Sequence, residues 1–320
     1  MSKPILYVTR RLPAAVEARA ARDYDARLSV ADAPVTGTNI IAMAQGVDAV
    51  LCCPAEKLSA ATIAALPATV RVIGTFSVGY DHIDIAAARA RGIAVVNTPD
   101  VLSIATAECA LLLMLATARR AGEGERLIRR GEWSGWAPTQ LLGTGVVGRR
   151  LGIFGMGRIG RELAKLARGL SMEVHYRDID RLSPLQEQGA VYHSNDDSFL
   201  GSLDLLSLNA PGGAETMHWL NAERIASMRR GVVVVNAGRG TLVDDNAMIE
   251  ALHARQVAGY GADVYEDEPA LNPGYLTCEN AVLLPHLGSA TVEARDAMGA
   301  LVLSGIDAVL AGKTPANLVL

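Results

Sequence analysis

Leu151-Gly152-Ile153-Phe154-Gly155-Met156-Gly157-Arg158-Ile159-Gly160 places a GxGxxG pattern directly after an apolar strand and at the head of a helical stretch, Arg161-Glu162-Leu163-Ala164-Lys165-Leu166-Ala167. Each glycine meets a different steric demand of a strand-to-helix turn that carries a pyrophosphate. Gly155 permits the tight turn, Gly157 lets the backbone approach the phosphates, and Gly160 lets the helix pack on the strand. The N–H groups at the helix start, those of Arg158 and Ile159 among them, bind the anion. Asp178 lies 18 residues beyond Gly160, at the end of the next strand, where a carboxylate accepts hydrogen bonds from ribose hydroxyls. A lone GxGxxG is weak evidence; this flanking context predicts a dinucleotide-binding unit.

Working outward, short β-rich runs alternate with Ala-rich helical stretches over the whole chain, the pattern of parallel sheets covered by helices. The fold class is α/β. After residue 150 seven strands are predicted: Leu151 to Phe154, Glu173 to Tyr176, Ala190 to Tyr192, Asp204 to Leu208, Val232 to Asn236, Val257 to Ala262 and Ala281 to Leu284. That number completes a doubly wound sheet. Before it, Ile5 to Val8, Ala49 to Cys52, Val70 to Ile73 and Ile93 to Val96 read as strands, with Gly92 a helix stop. From about Ser103 to Arg119 a helix carries apolar residues on nearly every face, which implies deep burial or an oligomer interface. The turn-rich stretch Gly131 to Pro138 then spends two of the three Trp residues, Trp133 and Trp136, on a loop.

With 320 residues, half of them hydrophobic, the chain suits about two domains. A formal net charge of -4 with scattered basic residues leaves no footprint for nucleic acid or an acidic membrane. The partner expected is a small molecule. The start, Met1 to Arg10, has too short an apolar run for a secretory signal, and Cys109 to Ala116 is too short to span a membrane. A cytoplasmic location is expected. The four cysteines include the adjacent pair Cys52 and Cys53 but no CxxC, so they are expected to be reduced structural thiols, with no metal site.

Three further segments each put polar residues after a strand, at the carboxyl edge where open α/β sheets bind ligands. They are Val232 to Gly240, Gly261 to Pro269 and Leu283 to Ala290, and they offer Arg239, Glu268 and His286 to one crevice. Reducing a keto acid with hydride needs a cation for the carboxylate and the developing oxyanion, and a proton donor working near neutral pH. Arg239 suits the first need and His286 the second. Glu268 suits orienting the ring and keeping it protonated. Of the other histidines, His82, His175, His218 and His253 are given no chemical role, and Asp244-Asp245 read as helix-start charges.

Taken together, these segments, spaced 29 residues from Arg239 to Glu268 and 18 from Glu268 to His286, resemble the D-isomer-specific 2-hydroxyacid dehydrogenase family. The resemblance covers nearly the whole chain. It implies a hydride transfer between NAD(P)H and a small 2-keto acid to give the D-2-hydroxy acid, with Arg239, Glu268 and His286 catalytic. It further implies that Ser77 to Asp84 is the substrate-carboxylate loop, binding through the N–H groups of Val78 and Gly79. Thr106 and Asp263 fall at the nicotinamide, and Asn209, Pro211, Thr216, Ala237, Arg239, His286 and Gly288 join the cofactor contacts. The Trp133 to Pro138 stretch is similar to that of the glyoxylate/hydroxypyruvate reductase branch, where a Trp reaches into the partner subunit's active site. That assigns Trp136, with Trp133 the alternative, and implies a homodimer.

The implied architecture is two Rossmann-like domains with doubly wound parallel sheets: a substrate domain of residues 1–98 plus 287–320, with an NAD(P)-binding domain of 99–286 inserted. A cleft between them is expected to hold the site, with hinges near Pro99 and Pro285. NAD(H) is favoured, with NADP(H) the alternative. Two features depart from the family pattern: Ile104 where a polar residue is common, and Asn236-Ala237-Gly238-Arg239 where Asn-Thr-Ala-Arg is usual. The competing readings are an NAD-sensing corepressor, which would keep the nucleotide site without turnover, and a formate dehydrogenase of the same superfamily. The latter calls for Gln where Glu268 stands.

Overall fold

A computed structural model describes residues 3–320; Met1 and Ser2, which open the stretch read above for a leader, lie outside the described residues. The chain forms two compact units: residues up to Leu102 together with Ala290–Leu320, and the inserted Ser103–Ser289.

The first unit holds a five-stranded parallel sheet of β1 (Ile5–Val8), β2 (Asp25–Arg27), β3 (Ala49–Cys52), β4 (Val72–Thr75) and β5 (Ala94–Val96), in the order β2-β1-β3-β4-β5. Both faces are covered, so β3 and β4 are buried at every position, as parallel strands must be. β4 begins and ends two residues later than the run Val70 to Ile73 suggested. Val70 is still in a turn bonded to Pro67, and the strand runs on through Gly74. A side chain at Gly74 would come within 2.8 Å of Val302 on the helix Val292–Leu310, so only glycine lets that helix lie against the sheet. β2, a three-residue polar edge strand, has no hydrophobic signature and was not anticipated.

The second unit carries seven parallel strands: β6 (Arg150–Phe154), β7 (Glu173–Arg177), β8 (Val191–Tyr192), β9 (Leu205–Leu208), β10 (Val232–Asn236), β11 (Val257–Ala262) and β12 (Ala281–Leu283). Their order, β12-β11-β10-β9-β6-β7-β8, reverses between β6 and β9. That switch point opens a crevice at the carboxyl edge. Two hydrophobic layers sandwich the sheet, one built around Phe199, Leu206, Trp219 and Tyr260, the other around Leu113, Ile153, Leu163 and Tyr176.

The chain crosses between units a few residues later than the boundaries 98/99 and 286/287. At the first crossing a turn with Asp100 in the left-handed region precedes the helix that starts at Ser103. At the second, the N–H groups of His286, Leu287 and Gly288 all bond to Asp263, which ties them to the end of β11. All four cysteines are free, and among the described residues no helix is long and apolar enough to cross a membrane.

Candidate active site

The glycine-rich turn has the shape its spacing predicts. Gly155 sits at φ +90° with the Ala210 backbone so near that an added Cβ would lie 2.5 Å from its nitrogen. A Cβ on Gly160 would lie 2.3 Å from the Gly155 carbonyl, so the helix Arg158–Gly169 docks only with glycine there. Gly157, the N-cap, faces open space: a Cβ there would meet nothing within 4 Å. Across the switch point, the buried Asn209 Oδ1 has no hydrogen-bond partner among the described residues, while its amide donates to Ser207. Open space at the start of this helix, beside an orphaned acceptor, fits a dinucleotide.

Asp178 follows β7 and does two jobs in the turn. Its Oδ2 accepts the Met156 N–H at 2.6 Å and its Oδ1 the Ile179 N–H at 2.7 Å. The carboxylate is thereby fixed facing the glycine-rich loop, with lone pairs left over for ribose hydroxyls. Its neighbours are engaged elsewhere. Arg177 bonds to Asp196 at 3.2 Å, and Arg181 grips Glu187 through two nitrogens at 2.8 and 3.2 Å.

After β9, Thr216 closes a turn by donating to the Pro211 carbonyl at 2.8 Å. After β10, the fully buried Asn236 pins the Arg239 loop: its Oδ1 accepts the Gly238 N–H and its amide donates to the Arg239 carbonyl. Ala237 hydrogen-bonds back to Leu208. The departure at Gly238 has a steric reason, since a Cβ there would lie 2.9 Å from the Ala210 carbonyl oxygen. Gly240 packs against the peptide after Tyr265 so closely that no side chain fits, which locks the Arg239 loop to the loop carrying Glu268.

That second loop is tied to β12 by Tyr265, whose hydroxyl donates to the Leu284 carbonyl at 3.0 Å. Glu268 accepts the Tyr265 N–H on Oε1 at 2.9 Å and meets His286 Nδ1 with Oε2 at 2.7 Å. Burial pushes the Glu268 carboxyl up, but the hydrogen bond and charge of His286 outweigh it and, with Tyr265 N–H and Arg239, hold it below its ordinary value. Ionised Glu268 only accepts, so the proton of the pair sits on Nδ1 and the outer face of the ring is Nε2. His286 itself lies at φ +56°, a strained choice for a non-glycine residue. The strain is held by Asp263, whose carbonyl accepts the His286 N–H at 2.9 Å and whose carboxylate accepts Leu287 and Gly288 at 2.6 and 2.7 Å. Burial raises the Asp263 carboxyl, and those two N–H bonds oppose the shift. A Cβ on Gly288 would lie 3.1 Å from Asp263 and 3.3 Å from Thr106, so these three share one spot.

The predicted residues of the second unit thus collect at the sheet's carboxyl edge, apart from Trp136, which stands 83% exposed in the loop after the helix Ala121–Arg129. Val78 and Gly79 belong to the first unit, on the loop after β4. Asn236, Asp263 as a loop clamp, and Tyr265 were not anticipated in these holding roles. A polar residue closing a run of four valines was the available signal for Asn236.

Residues 111–288 match the family described as "D-isomer specific 2-hydroxyacid dehydrogenase, NAD binding domain". Glycerate dehydrogenase of Hyphomicrobium methylovorum is 42% identical over 314 residues, 98% of each chain. Glyoxylate reductase of Thermococcus litoralis is 38% identical, covering 99% of this chain and 97% of that one. The crystal structure of an NADPH-dependent glyoxylate/hydroxypyruvate reductase from Sinorhizobium meliloti, in complex with NADP and malonate, superposes with a TM-score of 0.88 at 30% identity, covering 99% and 97% of the two chains. The chain belongs to the D-isomer-specific 2-hydroxyacid dehydrogenases, which are NAD(P)-dependent oxidoreductases.

Proposed function

We propose that this enzyme reduces a small 2-keto acid of the glyoxylate/hydroxypyruvate type to the D-2-hydroxy acid, with His286 as the proton donor. The observation that carries this reading is the 2.7 Å Glu268–His286 pair at the carboxyl edge of the nucleotide-binding sheet. When bound, the nicotinamide supplies the hydride. The chain's own residues do the rest. His286 gives a proton from Nε2 to the carbonyl oxygen, Glu268 stabilises the imidazolium through Nδ1, and Arg239 holds the substrate's negative charge. The N–H groups of Val78 and Gly79, which no acceptor among the described residues takes, receive the substrate carboxylate. Four buried or half-buried free thiols suit a reducing compartment such as the cytoplasm. The test is a panel of glyoxylate, hydroxypyruvate, pyruvate and phenylpyruvate with NADH and NADPH, and formate with NAD. Turnover of formate alone, or of nothing, would replace this reading with one of the competing ones.

Glu268 sets the pH dependence. Because its carboxyl is held below the ordinary value, the pair with His286 persists through the neutral range and is lost only as pH falls through that lowered value. Glu268→Gln leaves the imidazolium without an anionic partner. With a neutral amide at Nδ1, kcat for reduction is expected to fall, and the acid-side loss that follows the Glu268 carboxyl to vanish from the pH profile. A variant with wild-type kcat and an unchanged acid side would remove Glu268 from this role.

The working unit is proposed to be a homodimer. Ile104, Glu108 and Leu112 form an exposed stripe at helical spacing on Ser103–Ala118, and Ile128, Trp133, Trp136, Leu142 and Val147 are exposed further along. So many large apolar side chains on one stretch favour burial against a second copy, with Trp136 reaching the neighbouring site. Light scattering is expected to give twice the chain mass, and Trp136→Ala to raise KM for the keto acid. A fully active monomer would contradict both.

A further inference from the structure

The loop after β4 is held by a chain of hydrogen bonds whose proton positions follow from the donors alone. Ser77 Oγ lies 2.6 Å from the Gly79 carbonyl oxygen, which has no proton to give, so the serine hydroxyl donates. Ser77 Oγ also lies 2.7 Å from Thr75 Oγ1, and with its one proton committed it accepts there. Thr75, its proton now spent on Ser77, must accept in turn at 2.9 Å from His82 Nε2. The ring nitrogen therefore carries the hydrogen. Thr75 and Ser77 are buried, and Cys52, a thiol kept neutral by burial, donates to the Gly74 carbonyl and sets its sulfur 4.0 Å from the same nitrogen. The ring's own backbone is stapled, since the His82 carbonyl accepts the Leu58 N–H at 2.8 Å.

We propose that His82 is a positioning residue for substrate binding, driving a one-way relay from Nε2–H through Thr75 and Ser77 to the Gly79 carbonyl. The inference rests on the reading of Val78 and Gly79 as the carboxylate-binding loop. Asn97, buried, donates to the Val78 carbonyl at 2.8 Å. That carbonyl shares a peptide plane with the Gly79 N–H, so Asn97 aims this donor from its opposite side. The relay grips the next plane, at the Gly79 carbonyl. A glycine, with the widest backbone freedom of any residue, is thus fixed on both sides, and the anion-binding N–H groups are ordered before substrate arrives.

The test is steady-state kinetics with glyoxylate, with binding of the non-reducible mimic oxamate as a second readout. His82→Leu and Thr75→Val, which break the relay at its first and middle links, are each expected to raise KM for glyoxylate and the oxamate dissociation constant about tenfold, the scale of one lost net hydrogen bond. NADH affinity is expected to be unchanged, and the double variant no worse than either single one, because both break one unit. His82→Gln, which can offer an amide N–H near the Nε2 position, is expected to restore KM. Should His82→Leu fail to fold, the near-isosteric Thr75→Val still reads the relay. Asn97→Ala separates the two failures. If it raises KM while His82→Leu and Thr75→Val do not, the relay is wrong and the carboxylate loop stands. If none of the three moves KM, the loop reading falls and the relay with it. A His82→Gln variant as impaired as His82→Leu would show that the ring acts by packing and would overturn the donor role.

Discussion

His286→Ala is expected to lower kcat for glyoxylate reduction by about 10²- to 10⁴-fold, the usual contribution of a positioned general acid. The geometry leaves the histidine one productive role. Nδ1 is committed to Glu268 at 2.7 Å, the ring is carried on a residue at φ +56°, and that residue's backbone is clamped to Asp263, so the orientation of Nε2 is over-determined. Strain of this kind, about 1 to 3 kcal/mol, persists where the surroundings hold it, and is worth keeping only if the orientation matters. The loss should fall on kcat more than on KM, because a proton moved only in the transition state contributes little to ground-state binding. NADH binding, followed by fluorescence, should survive, since the glycine-rich turn and Asp178 belong to β6 and β7 at the other side of the switch point. A variant with wild-type turnover on both glyoxylate and hydroxypyruvate would show that another group gives the proton.

The fold was readable where one physical signal dominates. Parallel strands buried on both faces are runs of apolar residues, so Val232 to Asn236 and Val257 to Ala262 could be bounded to the residue. Signals weaken where burial is partial or where a third element decides. Asp25–Arg27 is a strand because Ile5, Leu6 and Tyr7 pair with it, and nothing within those three residues says so. Gly74 reads locally as a break, yet it continues β4 because a helix more than 200 residues later needs its missing side chain.

The site shows the same division. The residues proposed to act by chemical type, Arg239, Glu268 and His286, stand out by spacing and by the strands they follow. Residues that hold them do not. Tyr265 and the Asp263 clamp act between loops 19 and 24 residues apart in the chain, closures invisible to local pattern, while Asn236 pins its own loop through bonds two and three residues along. His82 is the sharpest instance. As a lone histidine before an apolar residue it invites no role, and the one proposed for it comes only from its hydrogen bonds through Thr75 and Ser77.

Cofactor choice turns on the same kind of closure, and the enzyme is expected to prefer NADH to NADPH by on the order of 10² in kcat/KM. In the sequence, Asp178 favours NADH, and Arg177 and Arg181 on either side of it are the cations that could grip a 2′-phosphate. The structure weakens that second route. Arg177 donates to the Asp178 carbonyl and to Asp196, a carboxylate that also accepts from Arg224 at 2.9 Å and Trp219 at 3.1 Å. Arg181 is forked onto Glu187, with the Tyr176 hydroxyl on the same carboxylate; Arg181 first, then Tyr176, holds that carboxyl below its ordinary value. Recruiting either arginine means breaking pairs already made. Asp178 cannot be turned aside either, because Met156 and Ile179 hold both its oxygens. A 2′-phosphate would meet a fixed carboxylate, and like charges brought together at a binding site cost several kcal/mol, which is about 10² or more as a ratio of rates. Asp178→Asn removes the repulsion while keeping an amide oxygen for one of the two N–H groups, so the NADH/NADPH ratio should fall by most of that factor, chiefly through KM for NADPH. A wild-type enzyme that favours NADPH by tenfold or more would mean that Arg177 or Arg181 leaves its carboxylate when the phosphate binds.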